Sequence, residues 1–187
     1  FTGVYITSAG SFQLTATSSP LASAPPAPGG GFSVVAPPSS ATSIAINNLL
    51  TTNGYDLDVA GTMDINGLLD ATNAIGRATD IYVGGLWDST TGNFTNTNST
   101  VIFDGTGATF NITSAGESFN QLTFNGTSTS IWAIQDALDV NGTLRLTYGT
   151  LNQGTGNNIT LAGTLIIGSE GVFTKDAGAG TFTFDGT

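Results

Sequence analysis

Two pairs of aspartates are the residues of this chain best placed for acid/base chemistry. Asp56 and Asp58 stand two positions apart, which puts both carboxylates on one face of a strand, and Asp136 and Asp139 form the other close pair. Glycosidases use such carboxylate pairs. The residues that alternate with the first pair are apolar or aromatic, however, so a solvated polar strand face is the favoured interpretation. We therefore expect a protein that is not an enzyme.

Composition removes most other kinds of catalytic, metal and partner site. The chain has no histidine and no cysteine, so Ser-His-Asp triads, Cys-His dyads and zinc sites built on these residues are excluded. Its 3 basic residues face 13 acidic ones, giving a net charge of −10 that repels nucleic-acid backbones and anionic lipids. No apolar run approaches about 18 residues. We expect neither a nucleic-acid partner nor insertion into a membrane.

A weak calcium site is predicted in one acidic stretch. The segment "DLDVAG" (56–61) begins like an EF-hand loop, but Ala60 replaces the third ligand and no glutamate stands at the twelfth position. The segment "DINGLLD" offers Asp64, Asn66 and Asp70 as oxygen ligands. The alternative, that these residues only form turns, is favoured. Calcium is the one cofactor that the sequence suggests.

Glycans are the partners that the surface residues suggest. Asn-x-Ser/Thr sequons begin at Asn93, Asn98, Asn111, Asn125, Asn141 and Asn158. Two of them, Asn125 and Asn141, precede glycines and are equally well explained as turn residues. Four aromatic residues could form a platform that binds carbohydrate: Trp87, Trp132, Tyr55 and Tyr148.

The elements that carry these residues are short strands separated by glycines. From Ser39 onward, alternating runs such as "YDLDVAG", "VIFDGT" and "LTFNGT" each end in a small residue and a glycine. Successive glycines lie 24, 20, 21, 16, 21 and 23 residues apart; they are Gly61, Gly85, Gly105, Gly126, Gly142, Gly163 and Gly186. These separations centre near the length of one coil of a β-solenoid.

The closing run, "TFTFDGT" (181–187), illustrates how each strand is expected to work. Alternation points Phe182 and Phe184 to the core, Asp185 hydrogen-bonds its own turn, and Gly186 supplies a positive φ that lets the chain turn. Each strand would then stack on its equivalent in the next coil.

A longer repeat is also predicted, in which residues 83–106 return as residues 161–187. Its matching phenylalanines are Phe94 with Phe173 and Phe103 with Phe184.

The sequence is also compatible with a second fold. The segment "LDVNGTLRL" is also a model hairpin, with Asn141 and Gly142 in a two-residue turn. Spacing alone does not separate a solenoid from an antiparallel β-sandwich of hairpins. Residues 65–80 have a partly helical pattern interrupted by two glycines, and we interpret them as a loop or one short turn.

The first 38 residues differ from the rest. They hold two alternating stretches followed by a proline-rich segment, which indicates an edge strand or linker. We therefore divide the chain into a β segment with its linker (1–38) and the repeats (39–187). The chain begins at Phe1 and ends within a recurring motif, so we expect a processed product or a piece of a longer chain.

Residues 81–126 and 137–164 resemble the tandem β-strand repeats of very long bacterial surface and adhesin-like proteins. The matching positions are Gly84, Gly85, Trp87, Phe103, Gly105, Thr106, 112–114, Phe119, Leu122, Thr123, Leu138, Val140, Gly142 and Leu144. Residues of the opening segment resemble the closing strands of a bacterial immunoglobulin-like repeat: Gly10, Phe12, Leu14, Ala16, Phe32 and Val34. The resemblance implies an all-β fold, a right-handed parallel β-solenoid preceded by part of a sandwich, and it implies no catalytic residues.

These observations predict a structural or adhesive segment of a secreted or cell-surface protein, and a filament-forming subunit is one form of it. Its expected partners are neighbouring copies of itself, adjacent repeats of a longer chain, and glycans. The alternative is a carbohydrate-binding or carbohydrate-active β-helix.

Overall fold

The chain folds into a parallel β-solenoid. The computed structural model describes residues 11–13, 43–52, 54–72, 78–178 and 180–186. In these residues the fold is all-β, without a helix, and its strands stack in parallel through about 6 turns. The predicted solenoid is confirmed and the sandwich of hairpins is not supported. Asn141 and Gly142 join two strands that pair with parallel neighbours and not with each other.

The described residues form nineteen strands. They are β1 (Ser11–Gln13), β2 (Ser43–Ile46), β3 (Leu49–Thr51), β4 (Leu57–Val59), β5 (Met63–Ile65), β6 (Leu68–Asp70), β7 (Thr79–Val83), β8 (Trp87–Asp88), β9 (Asn93–Thr95), β10 (Ser99–Phe103), β11 (Thr109–Thr113), β12 (Ser118–Phe119), β13 (Gln121–Asn125), β14 (Ile131–Ile134), β15 (Leu138–Val140), β16 (Leu144–Asn152), β17 (Ile159–Leu161), β18 (Leu165–Thr174) and β19 (Phe182–Phe184).

The strands form three faces, numbered in the order in which each coil meets them. Face 1 holds β4, β7, β10, β13 and the first halves of β16 and β18; face 2 holds β1, β2, β5, β8, β11, β14 and the second halves of β16 and β18. Face 3 holds the remaining strands. Coil 1 is β4 to β6, coil 2 is β7 to β9, coil 3 is β10 to β12, coil 4 is β13 to β15, coil 5 is β16 and β17, and coil 6 is β18 and β19.

The core consists of side chains from alternate positions, stacked in register from coil to coil. One row on face 1 steps by 24, 20, 21, 22 and 21 residues; it is Leu57, Ile81, Val101, Leu122, Leu144 and Leu165. All of this row except the last member is buried. Because period-two alternation sends every second residue inward, each short run contributes one residue to each of one or two such rows.

The glycines occupy two different corners of the solenoid. Gly61, Gly85, Gly105 and Gly126 each stand four residues after a member of the face 1 row, at the corner that leads to face 2. In coils 5 and 6 the glycine instead precedes face 1, as Gly142 and Gly163 do. The separation of 16 residues between Gly126 and Gly142 therefore crosses between corners and is not a coil length.

Close stacking, and not backbone conformation, explains these glycines. Gly105, Gly126 and Gly186 are not among the residues with positive φ, so the predicted reason for Gly186 is wrong. A Cβ on Gly126 would collide with the carbonyl oxygen of Gly105, and one on Gly105 would collide with that of Gly84. Adjacent coils approach too closely at this corner for any side chain.

Positive φ is needed where β16 bends between faces 1 and 2. Gly149 has a φ of 89° and lies at this bend, which carries one continuous strand around the corner. The register of β16 against β18 also shifts here, between Leu146 and Tyr148. Only glycine adopts this left-handed conformation without steric cost.

The predicted longer repeat is wrong, because its matched residues lie on different faces. Phe103 ends a face 1 strand, whereas Phe184 ends the face 3 strand β19. Phe94 lies on face 3 and Phe173 on face 2. The Phe-Asp-Gly sequence occurs at both corners because both have the same local feature, a glycine that stacks closely on the backbone of the preceding coil at Gly105 and at Gly186.

Face 3 has one interruption, between coils 2 and 3. Its strands form two separate ladders, β3-β6-β9 and β12-β15-β17-β19. The side chain of Asn96 bridges the gap, since its Nδ2 donates to the carbonyl oxygen of Ser118 at 2.6 Å and to Ser118 Oγ at 2.9 Å. Beneath the gap, Trp87 packs edge-on against Phe94 with ring centroids 5.0 Å apart, and it lies at a tilt against Phe119 with centroids 5.4 Å apart. The aromatic core is thus continuous where the backbone ladder is not.

Two further regions complete the fold. Residues 68–70, which the sequence assigned to a loop or turn, form the strand β6, because β3 and β9 flank it in register. At the other end, β1 pairs in parallel with β2 at the edge of face 2. The predicted boundary at residue 38 and most of the 1–38 segment lie outside the described residues.

Candidate functional site: the C-terminal end face

Apolar side chains are exposed in register on the open side of coil 6. Its five inward side chains are in register with five side chains of coil 5 that have no solvent exposure. The coil 5 residues are Leu144, Leu146, Leu151, Ile159 and Leu161; their partners, here called the end face, are Leu165, Ile167, Phe173, Phe182 and Phe184. Ile167 is 48% exposed and Phe184 is 62% exposed. The end face is thus a core layer covered on one side only.

The aromatic residues of the end face are already packed together. Phe173 meets Phe182 edge-on with ring centroids 5.5 Å apart, and Phe182 lies 5.1 Å from Phe184. Beside them run the outer edges of β18, which is ten residues long, and of β19. No strand of the described residues pairs with these edges. An apolar layer bordered by unpaired strand edges is a surface for adding another β-strand.

The opposite end of the solenoid differs. Ile44, Ile46 and Leu50, the inward residues of the strands that precede coil 1, are at most 8% exposed. Among the residues that the structure describes, exposed apolar core positions therefore occur at the C-terminal end and not in the strands that precede coil 1.

Few charges surround the end face. Glu170, Lys175, Asp176 and Asp185 are exposed on coil 6. Burial raises the pKa of Asp139, two coils earlier on face 3, and the negative charge of Asp185 raises it further. Lys175 donates from Nζ to the carbonyl oxygen of Gly180 at 2.9 Å. An incoming strand would meet mainly apolar and neutral groups.

The first aspartate pair lies on the outside of face 1. Asp56 and Asp58 are both exposed, and Asp56 Oδ1 accepts a hydrogen bond of 3.0 Å from the backbone N–H of Asp80. Asp58 is in register with Tyr82. Burial, followed by the charges of four neighbouring aspartates including Asp80 and Asp56, raises the pKa of Tyr82. Burial and then Asp58 raise the pKa of Asp104. This surface is a solvated acidic strip.

The second pair is divided between two structural roles. The carboxylate of Asp136 accepts hydrogen bonds from the backbone N–H and Oγ of Ser114, at 3.0 and 3.1 Å, and from the backbone N–H of Ala115. It thereby holds the corner of the preceding coil, where Ala115 has a positive φ of 53°. Asp139 points outward from β15.

The predicted calcium ligands lie on different faces of coil 1. Asp64 points outward from β5 on face 2, and Asp70 points outward from β6 on face 3, where its Oδ1 accepts two bonds from Thr72 at 2.9 and 2.6 Å. Asn66 lies between them and accepts a 2.5 Å bond from Thr91 Oγ1. Within the described part of the chain, no three acidic side chains form a cluster that could hold a metal ion. Calcium binding stays a prediction.

All six sequon asparagines are exposed. Three of them also take part in hydrogen bonds between coils: Asn111, Asn141 and Asn158. Glycosylation stays a prediction, and exposure is compatible with it.

The proposed carbohydrate platform does not assemble from all four aromatic residues. Trp87 and Trp132 have no solvent exposure and belong to the core, whereas Tyr55 and Tyr148 are 56% and 43% exposed. The two tyrosines lie at opposite ends of the solenoid, before coil 1 and in coil 5. The tryptophans pack against other aromatic residues, and Trp132 stacks on Phe110 with ring centroids 6.2 Å apart.

Sequence patterns predict that a solenoid has open ends but do not identify the end-face residues. Leu165 and Ile167 look like any other inward pair, because exposure depends on whether a further coil covers them. Comparisons with known proteins add no assignment: no family matches the chain, and no curated protein or solved structure gives a significant match. No helix among the described residues is long and apolar enough to cross a membrane.

Proposed function

We propose that this chain is a structural segment of an extracellular or cell-surface protein, which extends as a rod by stacking β-coils. The end face is the observation that carries the proposal. The equivalents of its five apolar side chains are fully buried one coil earlier, whereas here Ile167 and Phe184 are exposed and the other three are only partly buried, beside two strand edges that no described strand pairs. The occupant that fits both features is another β-coil, supplied by an adjacent repeat of a longer chain or by a neighbouring copy.

The surface composition supports a rod more than an enzyme. Charged residues make up 9% of the chain, and the polar surface is carried by Thr, Ser and Asn, which suits packing against neighbours and contact with glycans. The first aspartate pair lies in a solvated acidic strip, and Asp136 is engaged by backbone and hydroxyl groups. The carbohydrate-active alternative therefore has less support, and adhesion through glycans rests on the exposed Thr/Asn surface.

Association of the isolated chain tests the proposal. Sedimentation velocity over a concentration series is expected to show self-association through the end face. Ile167→Glu places a charge in this surface and is expected to abolish association, because burying an unpaired carboxylate at an interface costs several kcal/mol of desolvation free energy, on the order given by transfer data.

Ile166→Glu is the matched control. Ile166 neighbours Ile167 on β18 but points outward, in register with Arg145. The Ile166→Glu variant should associate as the wild type does, and circular dichroism should show that both variants are folded. A chain that stays monomeric at every concentration, or equal behaviour of the two variants, would contradict the proposal.

A further inference from the structure

Four Asn-Gly dipeptides make this chain prone to deamidation, and the fold restrains the described sites to different extents. In such a dipeptide the backbone nitrogen of glycine attacks Cγ of the asparagine side chain, a new N–C bond forms, and the Cγ–Nδ2 bond breaks with release of ammonia. Water then opens the resulting succinimide to aspartate or isoaspartate, so the net reaction consumes one water and releases one ammonia. Glycine permits the attack because it has no Cβ to obstruct it. The dipeptides begin at Asn53, Asn66, Asn125 and Asn141; Asn53 lies outside the described residues.

Asn66 is held at every atom that the reaction must move. Its Nδ2 donates to Asn47 Oδ1 at 3.4 Å, and its Oδ1 accepts from Thr91 Oγ1 at 2.5 Å. The attacking nitrogen, that of Gly67, donates to the carbonyl oxygen of Ile46 at 2.6 Å. Ring closure at this site requires all three hydrogen bonds to break.

Asn141 is held in part. Its backbone N–H donates to the carbonyl oxygen of Phe119 at 2.8 Å. Its Nδ2, which belongs to the leaving group, donates to Ser118 Oγ at 3.1 Å. Both bonds fix the asparagine, so closure is slowed but less than at Asn66.

Asn125 is the least restrained of the three. It is the exposed last residue of β13, and the register of β13 against β16 shifts between Phe124 and Asn125. In the described part of the chain its side chain takes part in no hydrogen bond between coils or within its own corner. The ladder is thus already irregular at the bond that must rotate.

The product of the reaction fits this corner. Phe103 and Phe124 are in register, so Asp104 precedes its glycine in coil 3 as Asn125 does in coil 4. An aspartate at position 125 reproduces the Phe-Asp-Gly-Thr sequence that the solenoid already accommodates one coil earlier.

We propose that Asn125 is a site of spontaneous deamidation in the folded protein, reacting faster than Asn141 and much faster than Asn66. The modification introduces a negative charge beside Asp104 on the surface of coils 3 and 4. It needs no enzyme and no reactant other than water.

Peptide mapping of the aged protein tests this ranking. The purified chain is incubated in mildly alkaline buffer, in its native form and in concentrated urea, and is then digested with chymotrypsin. Cleavage after Phe124 and Trp132 separates Asn125 from Asn141. Deamidation raises the mass of a peptide by about one dalton. In urea the three sites are expected to react at similar rates, and in the native protein Asn125 is expected to react several-fold faster than Asn66.

Two variants make the test specific. Asn125→Gln should remove the earliest mass change, because closure through glutamine needs a larger ring. Ser118→Ala should accelerate reaction at Asn141 and leave the rate at Asn125 unchanged. The proposal is overturned if native Asn125 is protected as strongly as Asn66, or if Asn141 reacts first in the wild type.

Discussion

Asp104 and Asn125 occupy the same corner in successive coils, and each precedes a glycine that leaves room for the backbone of the coil before it. Two constraints therefore determine which residues fit at this corner. The polar residue faces solvent, and the glycine faces a carbonyl oxygen about 20 residues earlier in the chain. The polar residue is free to vary between acid and amide, because only its own backbone is fixed by stacking. The glycine is not, since any Cβ would meet that carbonyl oxygen.

Asp104→Asn is expected to stabilise the protein at neutral pH. Burial, and then the charge of Asp58, raise the pKa of Asp104 in the folded state above its ordinary value of 3.8. The stability that this group contributes is fully present below pH 3.8 and is lost as pH rises through the folded pKa. Asparagine does not ionise, so the midpoint of thermal unfolding should exceed that of the wild type at neutral pH, and the difference should vanish in acid.

An NMR titration provides the control for this variant. Asp58→Asn should lower the pKa of Asp104, because it removes the charge that raises it. A wild type that is more stable than Asp104→Asn at neutral pH would show that the ionised carboxylate is stabilising and the interpretation incorrect.

Short strands acquire their stability here from register and not from length. Many strands have three residues, yet each pairs in register with the equivalent strand of at least one neighbouring coil, and the inward side chains align in rows. Coils 5 and 6 use a different construction, in which one long bent strand replaces two short ones. The interruption in face 3 shows that a ladder can be broken where aromatic packing and one bridging asparagine replace it.

Asn96→Ala is expected to destabilise this junction. It removes the only side chain among the described residues that bridges β9 and β12 by hydrogen bonds, at a cost of about 1 kcal/mol in the free energy of unfolding. Asn141→Ala is the matched control, because Asn141 reaches the hydroxyl of Ser118 but not its carbonyl oxygen. Urea denaturation should show the larger loss for Asn96→Ala, and equal losses would mean that the bridge does not support the junction.

The whole molecule is a one-dimensional stack in which each coil is stabilised by the coils on either side. Such a stack is weakest where a neighbour is missing. In the described residues coil 6 pairs with coil 5 only, and its inward residues retain solvent exposure that the equivalent residues of coil 5 have lost.

Hydrogen exchange should reveal this gradient. At concentrations too low for association, amides of β19 are expected to exchange roughly tenfold or more faster than those of β15, which lies on the same face two coils earlier. Raising the protein concentration should slow exchange in β19 if copies cover the end face. Equal protection of the two strands in the monomer would indicate a solenoid that unfolds only as one unit.

The sequence alone determined the all-β class, the identity of most inward residues and the approximate coil length. These properties are local: alternation fixes which side chains share a face, and a glycine marks where adjacent backbones converge. The separations between Gly61, Gly85, Gly105 and Gly126 therefore predict three coil lengths, and the strand register confirms all three.

Tertiary structure decided everything that depends on a residue one coil away. It placed Phe103 and Phe184 on different faces although Asp-Gly-Thr follows both, buried Trp87 and Trp132 in the core, and made Asn141-Gly142 a corner instead of a hairpin. It also left the end face exposed. The physical reason is common to all four: pairing and burial are set by contacts between segments about 20 residues apart, which a local pattern does not specify.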